Sequence, residues 1–173
     1  MRKVILIGTV HLGLTPIDEL IDEVISHNPD RILIEIDQDG NGAQEMKQLL
    51  QWCKDNSAEY HCFDEAAPAE QSASGPTEKE IVDFTKAIQD KLQGVSWKDL
   101  NNPSVWKETG AEEINQAFTD KFYDPEKIKD REKLLDKNIS NLLTEGTNVV
   151  VTGAGHMTRL LDSIPGSTAP LRH

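Results

Sequence analysis

The chain has 173 residues, 37% of them hydrophobic, and a formal net charge of −12. This length suits one domain built on a single core. The acidic surplus argues against nucleic acid and anionic membrane surfaces as partners, because both ask for a basic face.

In chain order, the apolar run Val4-Ile5-Leu6-Ile7 ending at Gly8 predicts a buried parallel strand. Thr15-Pro16 opens a helix, with threonine as its cap, and Ile17, Leu20, Ile21, Val24 and Ile25 follow helical spacing until Asn28-Pro29-Asp30. Arg31 to Ile36 reads as a second strand. Ala43 to Lys54 reads as a helix with Met46, Leu49, Leu50 and Cys53 facing inward, and Ala58 to Phe63 as a third strand. The stretch Ala66 to Pro76 is small, polar and turn-rich, and predicts an exposed loop. Thr77 to Leu92 is a helix opened by a capping box with Glu80. Val95 to Tyr123 is helical in pieces, broken at Asn101-Asn102-Pro103 and at Gly110. Pro125 to Thr144 is a long helix, Asn148 to Thr152 a strand, His156 to Asp162 a short helix, and the tail from Pro165 is expected to fray. The fold class is α/β: a parallel-core sheet with flanking helices, formed by one domain over 1–173. A helical insertion at about 65–124 covers the carboxyl edge of the sheet.

The two cysteines, Cys53 and Cys62, are too few for a disulfide framework and read as reduced packing residues. The first apolar run is too short for a signal-peptide core, and no stretch approaches the ~20 apolar residues of a membrane span. The expected location is therefore the cytoplasm, without membrane contact.

Ligands of open parallel sheets bind at the carboxyl ends of strands. Each residue able to do chemistry falls at such an end. Two junctions share one shape, Gly8-Thr9-Val10-His11 and Gly153-Ala154-Gly155-His156. Gly8, Gly153 and Gly155 allow sharp turns and close approach to a ligand. Glu35 and Asp37 close the second strand, and Asp64 follows the third. A carboxylate at Glu35, where a strand core prefers an apolar residue, needs a partner; Asp37 reads equally well as a plain loop acid. On the long helix, Arg131, Leu134, Leu135, Asn138 and Leu142 share a stripe, so Arg131 is placed to pair with Glu35 or to hold a substrate, or else to sit at an amphipathic rim. Imidazoles and carboxylates together suit a divalent metal, and a histidine with a carboxylate can also activate water alone. His61 reads as a packed core histidine and His27 as a helix-end cation without chemistry. Trp52, Trp97 and Trp106 read as packing residues, with Trp97 and Trp106 as alternative groove walls.

The paired turns, the acid-ended second strand with Glu35 and the helix Arg131 to Ile139 resemble, in this order, the TraB/PrgY/GumN/Tiki family. The match covers residues 1–64 and 125–164, and the chain departs from it at Leu134-Leu135-Asp136, where the family helix often carries a methionine–alanine pair. The resemblance implies a fold shared with erythromycin esterase and the haem-binding ChaN. It also implies metal-dependent peptide cleavage with manganese- or cobalt-type ions. By matching position, His11, Glu35 and His156 would form the metal or catalytic centre, with Arg131 assisting; Asp64 is a further candidate ligand. The leading expectation is thus a peptidase-like hydrolase dependent on manganese, cobalt or zinc. Glu35 is its candidate base, and Arg131 stabilises the oxyanion formed from a peptide or small-molecule substrate. The alternative is a non-catalytic binder of a peptide or small ligand, of the PrgY type. Haem capture through Tyr60 or Tyr123 is a third option. A homo-oligomer, with a partner's insertion narrowing the cleft, fits the length of the polar middle.

Overall fold

The structure is a computed structural model that describes residues 1–64 and 75–172. Most of the turn-rich stretch expected as a loop, and His173, lie outside the described residues. Five parallel strands form one sheet in the order β3-β2-β4-β1-β5. They are β1 (Arg2–Thr9), β2 (Arg31–Ile34), β3 (Tyr60–Cys62), β4 (Gly146–Gly153) and β5 (Ser167–Thr168). The helices are α1 (Ile17–Ser26), α2 (Gln44–Asp55), α3 (Glu78–Lys91), α4 (Pro103–Thr109), α5 (Ala111–Phe122), α6 (Pro125–Leu142) and α7 (Met157–Ser163). Short 3₁₀ turns at Asp99–Asn101 and Ala154–His156 precede α4 and α7. The α/β fold with a parallel sheet expected from the sequence is present. Among the described residues no helix is long and apolar enough to cross a membrane.

Alternate side chains of a strand leave on opposite faces, so continuous apolar runs mark a sheet covered on both sides. Ile5, Ile7, Ile32, Ile34, Val149 and Val151 pack under Leu20 and Val24 of α1 and Met46, Leu49 and Cys53 of α2. Val4, Leu6, Leu33 and Val150 pack under Leu135 and Ile139 of α6 and Met157 and Leu160 of α7. A third apolar cluster joins Val10 to Ile88, Leu92, Leu100 and Ala111 of the insertion. The insertion thus seats on the chain just beyond the end of β1.

Several local expectations shift. The second strand ends at Ile34 rather than Ile36, because the Ile36 N–H turns back to the Ile34 carbonyl at 2.8 Å. Thr15 does not cap α1; its hydroxyl accepts from the Val10 N–H at 2.8 Å and donates to the Val10 carbonyl at 3.0 Å, closing the loop after β1. The tail does not fray at once, since Ser167 and Thr168 pair with Val4 and Ile5 as a fifth strand. His61 is not packed in a core: β3 is an edge strand, and the ring is part-exposed 3.6 Å from Glu59. Leu134 turns to solvent, and the buried line of α6 runs through Leu135 and Ile139. The capping box of α3 and the breaks before α4 and at Gly110 stand as read. Trp97 is a core residue whose indole N–H reaches Glu19 at 2.8 Å, so it walls no groove. Neither cysteine is in a disulfide, and burial pushes the Cys53 thiol up to about 11.

One contact fixes the insertion to the sheet. Pairing of β1 with β5 stops at Ile5, so Gly8 has no strand partner on that side. Asn101 fills the gap like a peptide unit: its Oδ1 accepts from the Gly8 N–H at 2.7 Å and its Nδ2 donates to the Gly8 carbonyl at 2.9 Å. A Cβ on Gly8 would stand 2.7 Å from Asn101 Oδ1 and 2.9 Å from Ala154 Cα, so a glycine is needed there. Asn101→Ala strands two buried backbone groups and is expected to cost about 2–4 kcal/mol. Urea unfolding checks this; a loss below about 0.5 kcal/mol, the scale of an ordinary surface substitution, would contradict it.

Candidate functional site

Strands β1 and β4 are hydrogen-bonded neighbours, yet the helices that follow them take opposite faces of the sheet. Such a divergence opens a crevice at the carboxyl ends of the two strands. The register pairs Gly8 with Thr152 and Thr9 with Gly153, which lays the two glycine–histidine turns side by side. A Cβ on Gly153 would stand 3.1 Å from His11 Nε2 and 3.7 Å from His156 Cδ2, so both rings flank one backbone point. Gly155 carries no such constraint, because a Cβ there meets open space. Above this point lies a cavity of about 480 Å³. His11, His156 and Gly153 form its floor, Phe84, Ile88, Leu100 and Trp106 an apolar wall, and Glu112, Asn115 and Gln116 a polar rim. Trp106 therefore walls the groove as one reading of the sequence allowed, with its indole N–H tied to the Leu100 carbonyl at 2.8 Å.

The two histidines differ in their hydrogen bonds. His11 Nδ1 makes a short contact with Glu45 Oε1, and Glu45 also accepts from the Thr9 hydroxyl at 2.9 Å. Glu45 is buried in the first turn of α2, where a helix amino end favours negative charge. Burial alone would raise its pKa, but His11 and Thr9 hold the carboxyl below its ordinary value. Burial likewise works against a charged His11, yet Glu45 and, more distantly, Glu35 raise the imidazole above its usual range. With Nδ1 bonded to a carboxylate, Nε2 is left with its lone pair and no protein partner among the described residues.

His156 has a charged neighbour beside each ring nitrogen. Arg159 Nη1 lies 3.0 Å from Nδ1, and Glu35 Oε1 lies 3.6 Å from Nε2, longer than a direct hydrogen bond but close enough for charge to be felt. Glu35 sits at the bend just after β2. Its Oε2 takes the Thr152 hydroxyl and, at 2.9 Å, the Gly153 N–H. Burial pushes the Glu35 pKa up, but the His156 ring, Thr152 and Gly153 outweigh it and hold it at about 2. The strand-end acid therefore has the partners that a buried carboxylate needs.

Arg131 and Asp64 belong to a separate pair. Arg131 Nη2 meets Asp64 Oδ1 at 2.7 Å and Oδ2 at 2.9 Å, so Arg131 does not pair with Glu35, and neither residue lines the cavity. Burial, with Glu35 and Asp37 nearby, keeps Asp64 above the usual carboxylate range despite Arg131. Asp37 is a loop acid that accepts the Asn41 N–H at 2.7 Å. His27 closes α1 with its Nε2 3.0 Å from Glu23. Tyr60 packs against the α1–α2 side of the sheet, and neither Tyr60 nor Tyr123 reaches the cavity.

Among the described residues no group of three or more His, Cys, Asp or Glu side chains is arranged to hold an ion. Glu35 Oε2 holds Thr152 and Gly153, Asp64 holds Arg131, and His156 Nδ1 meets Arg159, while Glu35 Oε1 stands 3.6 Å from His156 Nε2. Sequence reasoning missed Glu45, Arg159, Asn101 and Thr152. Glu45 had a signal: it precedes Leu49 by four residues on the apolar stripe of α2, an odd place for an acid. No family model matches the chain, and no curated protein or solved structure matches it.

The depressed Glu35 pKa means that its ionised form stabilises the fold above the ordinary range near 4.5 and loses this effect as pH falls through about 2. Glu35→Gln, which removes the charge that Thr152 and Gly153 answer, is expected to cost about 1–3 kcal/mol near neutral pH. Urea unfolding at neutral and at acid pH checks this: the gap to the unaltered protein should close toward pH 2, and an equal gap at both would contradict it.

Proposed function

We propose that this chain is a hydrolase of amide or ester bonds in a peptide or small-molecule substrate, with His11 as the general base. The observation that carries the reading is the His11–Glu45 dyad, whose open Nε2 sits on the floor of a cavity with one apolar wall. A carboxylate on Nδ1 fixes the tautomer and ring orientation and stabilises the imidazolium that forms when Nε2 takes a proton. In this reaction Nε2 removes a proton from water, the water oxygen bonds to the substrate carbonyl carbon, and the C–N or C–O bond then breaks. The proton returns from Nε2 to the leaving nitrogen or oxygen. Phe84, Ile88, Leu100 and Trp106 hold an apolar substrate group, and Glu112, Asn115 and Gln116 offer polar contacts at the rim.

The family resemblance of the two turns supports hydrolysis and adds a divalent metal, manganese, cobalt or zinc. The metal form asks for Asp64, which Arg131 engages, for Glu35, whose Oε2 Thr152 and Gly153 engage, and for a lone pair on His156, whose Nδ1 Arg159 engages. The metal-free form asks only for what His11 presents, and it is the form we favour. Arg131, bound to Asp64 outside the cavity, then serves the fold and not the oxyanion.

The test is a peptide and ester library incubated with the protein in a chelator. His11→Ala should lower kcat/KM by about 10²–10⁴-fold. Because Glu45 raises the His11 pKa, kcat/KM should climb as pH rises through that raised value, and Glu45→Gln should move the inflection to lower pH. Activity that survives His11→Ala, or a rate falling as pH rises through the histidine range, would overturn the reading. An intact library beside a ligand that raises Tm would favour the sequestering protein instead.

A further inference from the structure

We propose that Arg159 fixes the tautomer of His156 and so withdraws this imidazole from the metal ligands that its motif implies. A guanidinium has N–H donors and no acceptor at any accessible pH. The 3.0 Å contact between Arg159 Nη1 and His156 Nδ1 is therefore N–H···N, and Nδ1 must offer its lone pair. The ring proton then resides on Nε2, which faces Glu35 Oε1.

Arg159 is itself held in place. Asp136 of α6 accepts from its Nε at 3.0 Å and its Nη2 at 2.9 Å, and Glu132 lies 3.0 Å from Nη1. Two carboxylates on neighbouring turns of one helix thus orient the fork, and the fork orients the ring. A metal needs an imidazole lone pair; here Nδ1 is engaged and Nε2 carries hydrogen. His156 therefore acts as a donor directed at Glu35, and Arg159 as a positioning residue behind it. The assignment rests on the hydrolase reading only for which of the two histidines does the chemistry; its own support is the Arg159 hydrogen bonds.

The test is a two-bond proton–nitrogen correlation on the whole chain labelled at histidine nitrogen, at about pH 8, above the ordinary imidazole range. His156 should give the Nε2–H pattern in the unaltered protein, and a mixture of tautomers in Arg159→Met. Zinc titrated by calorimetry should bind the unaltered protein and His156→Ala alike. An Nδ1–H pattern for His156 in the unaltered protein, or zinc affinity falling about tenfold or more in His156→Ala, would overturn the proposal. If Arg159→Met does not fold, the spectrum and the zinc titration of the unaltered protein still decide. The expected spectrum beside hydrolysis that ignores His11→Ala would remove the hydrolase reading and leave this one standing.

Discussion

The pairing of Thr9 with Gly153 is the constraint on which the site depends. Two parallel strands that begin 144 residues apart in the chain (Arg2 and Gly146) are locked in one register, and their following segments leave to opposite faces. That geometry brings two separate turns to one point without a dedicated loop. A Cβ at 153 would press on His11 Nε2 at 3.1 Å and meet His156 in ordinary contact at 3.7 Å. The insertion depends on the same junction, because Asn101 completes the open edge of β1 at Gly8.

Around this junction the protein buries charge only where donors answer it. Glu35 has Thr152, Gly153 and His156, while Glu45 has Thr9 and His11. An unanswered buried carboxylate would take up a proton and lose its electrostatic use. The two histidine–acid pairs differ in their hydrogen bonds. His11 is held by one nitrogen and open at the other. His156 has a cation bonded at Nδ1 and an acid 3.6 Å from Nε2. In the proposed reaction this asymmetry gives the proton transfer to the first turn and the scaffold to the second.

Strands β1, β2 and β4 and the two turns were legible because buried parallel strands read as unbroken apolar runs and glycine marks the ends of β1 and β4, whereas β5, two polar residues in the tail, was not. Glu35 was legible for the same reason, as a charge where the run should be apolar. Strand order was not, since no periodicity says that β4 enters between β2 and β1. Nor was the role of Arg131: helical spacing gave its face but not its partner, and Asp64 is the nearer acid. Arg159 lies three residues after His156 and meets Asp136 across the helix pair, a contact that only the packing of α6 against α7 creates. Asn101 read as a helix breaker, and its amide role emerges only once β1 is seen to lack a partner at Gly8. Glu45 is the instructive omission, because an acid on an apolar stripe was visible in the sequence and points to a buried partner.

The proposed chemistry needs Glu45 to hold the proton of His11 on Nδ1 and so leave Nε2 facing the cavity. Proton magnetic resonance of the histidine-labelled protein tests it most directly. A far-downfield proton bonded to His11 Nδ1 is expected, and it should vanish in Glu45→Ala. A bare His11 Nδ1, or a signal indifferent to the loss of Glu45, would contradict it.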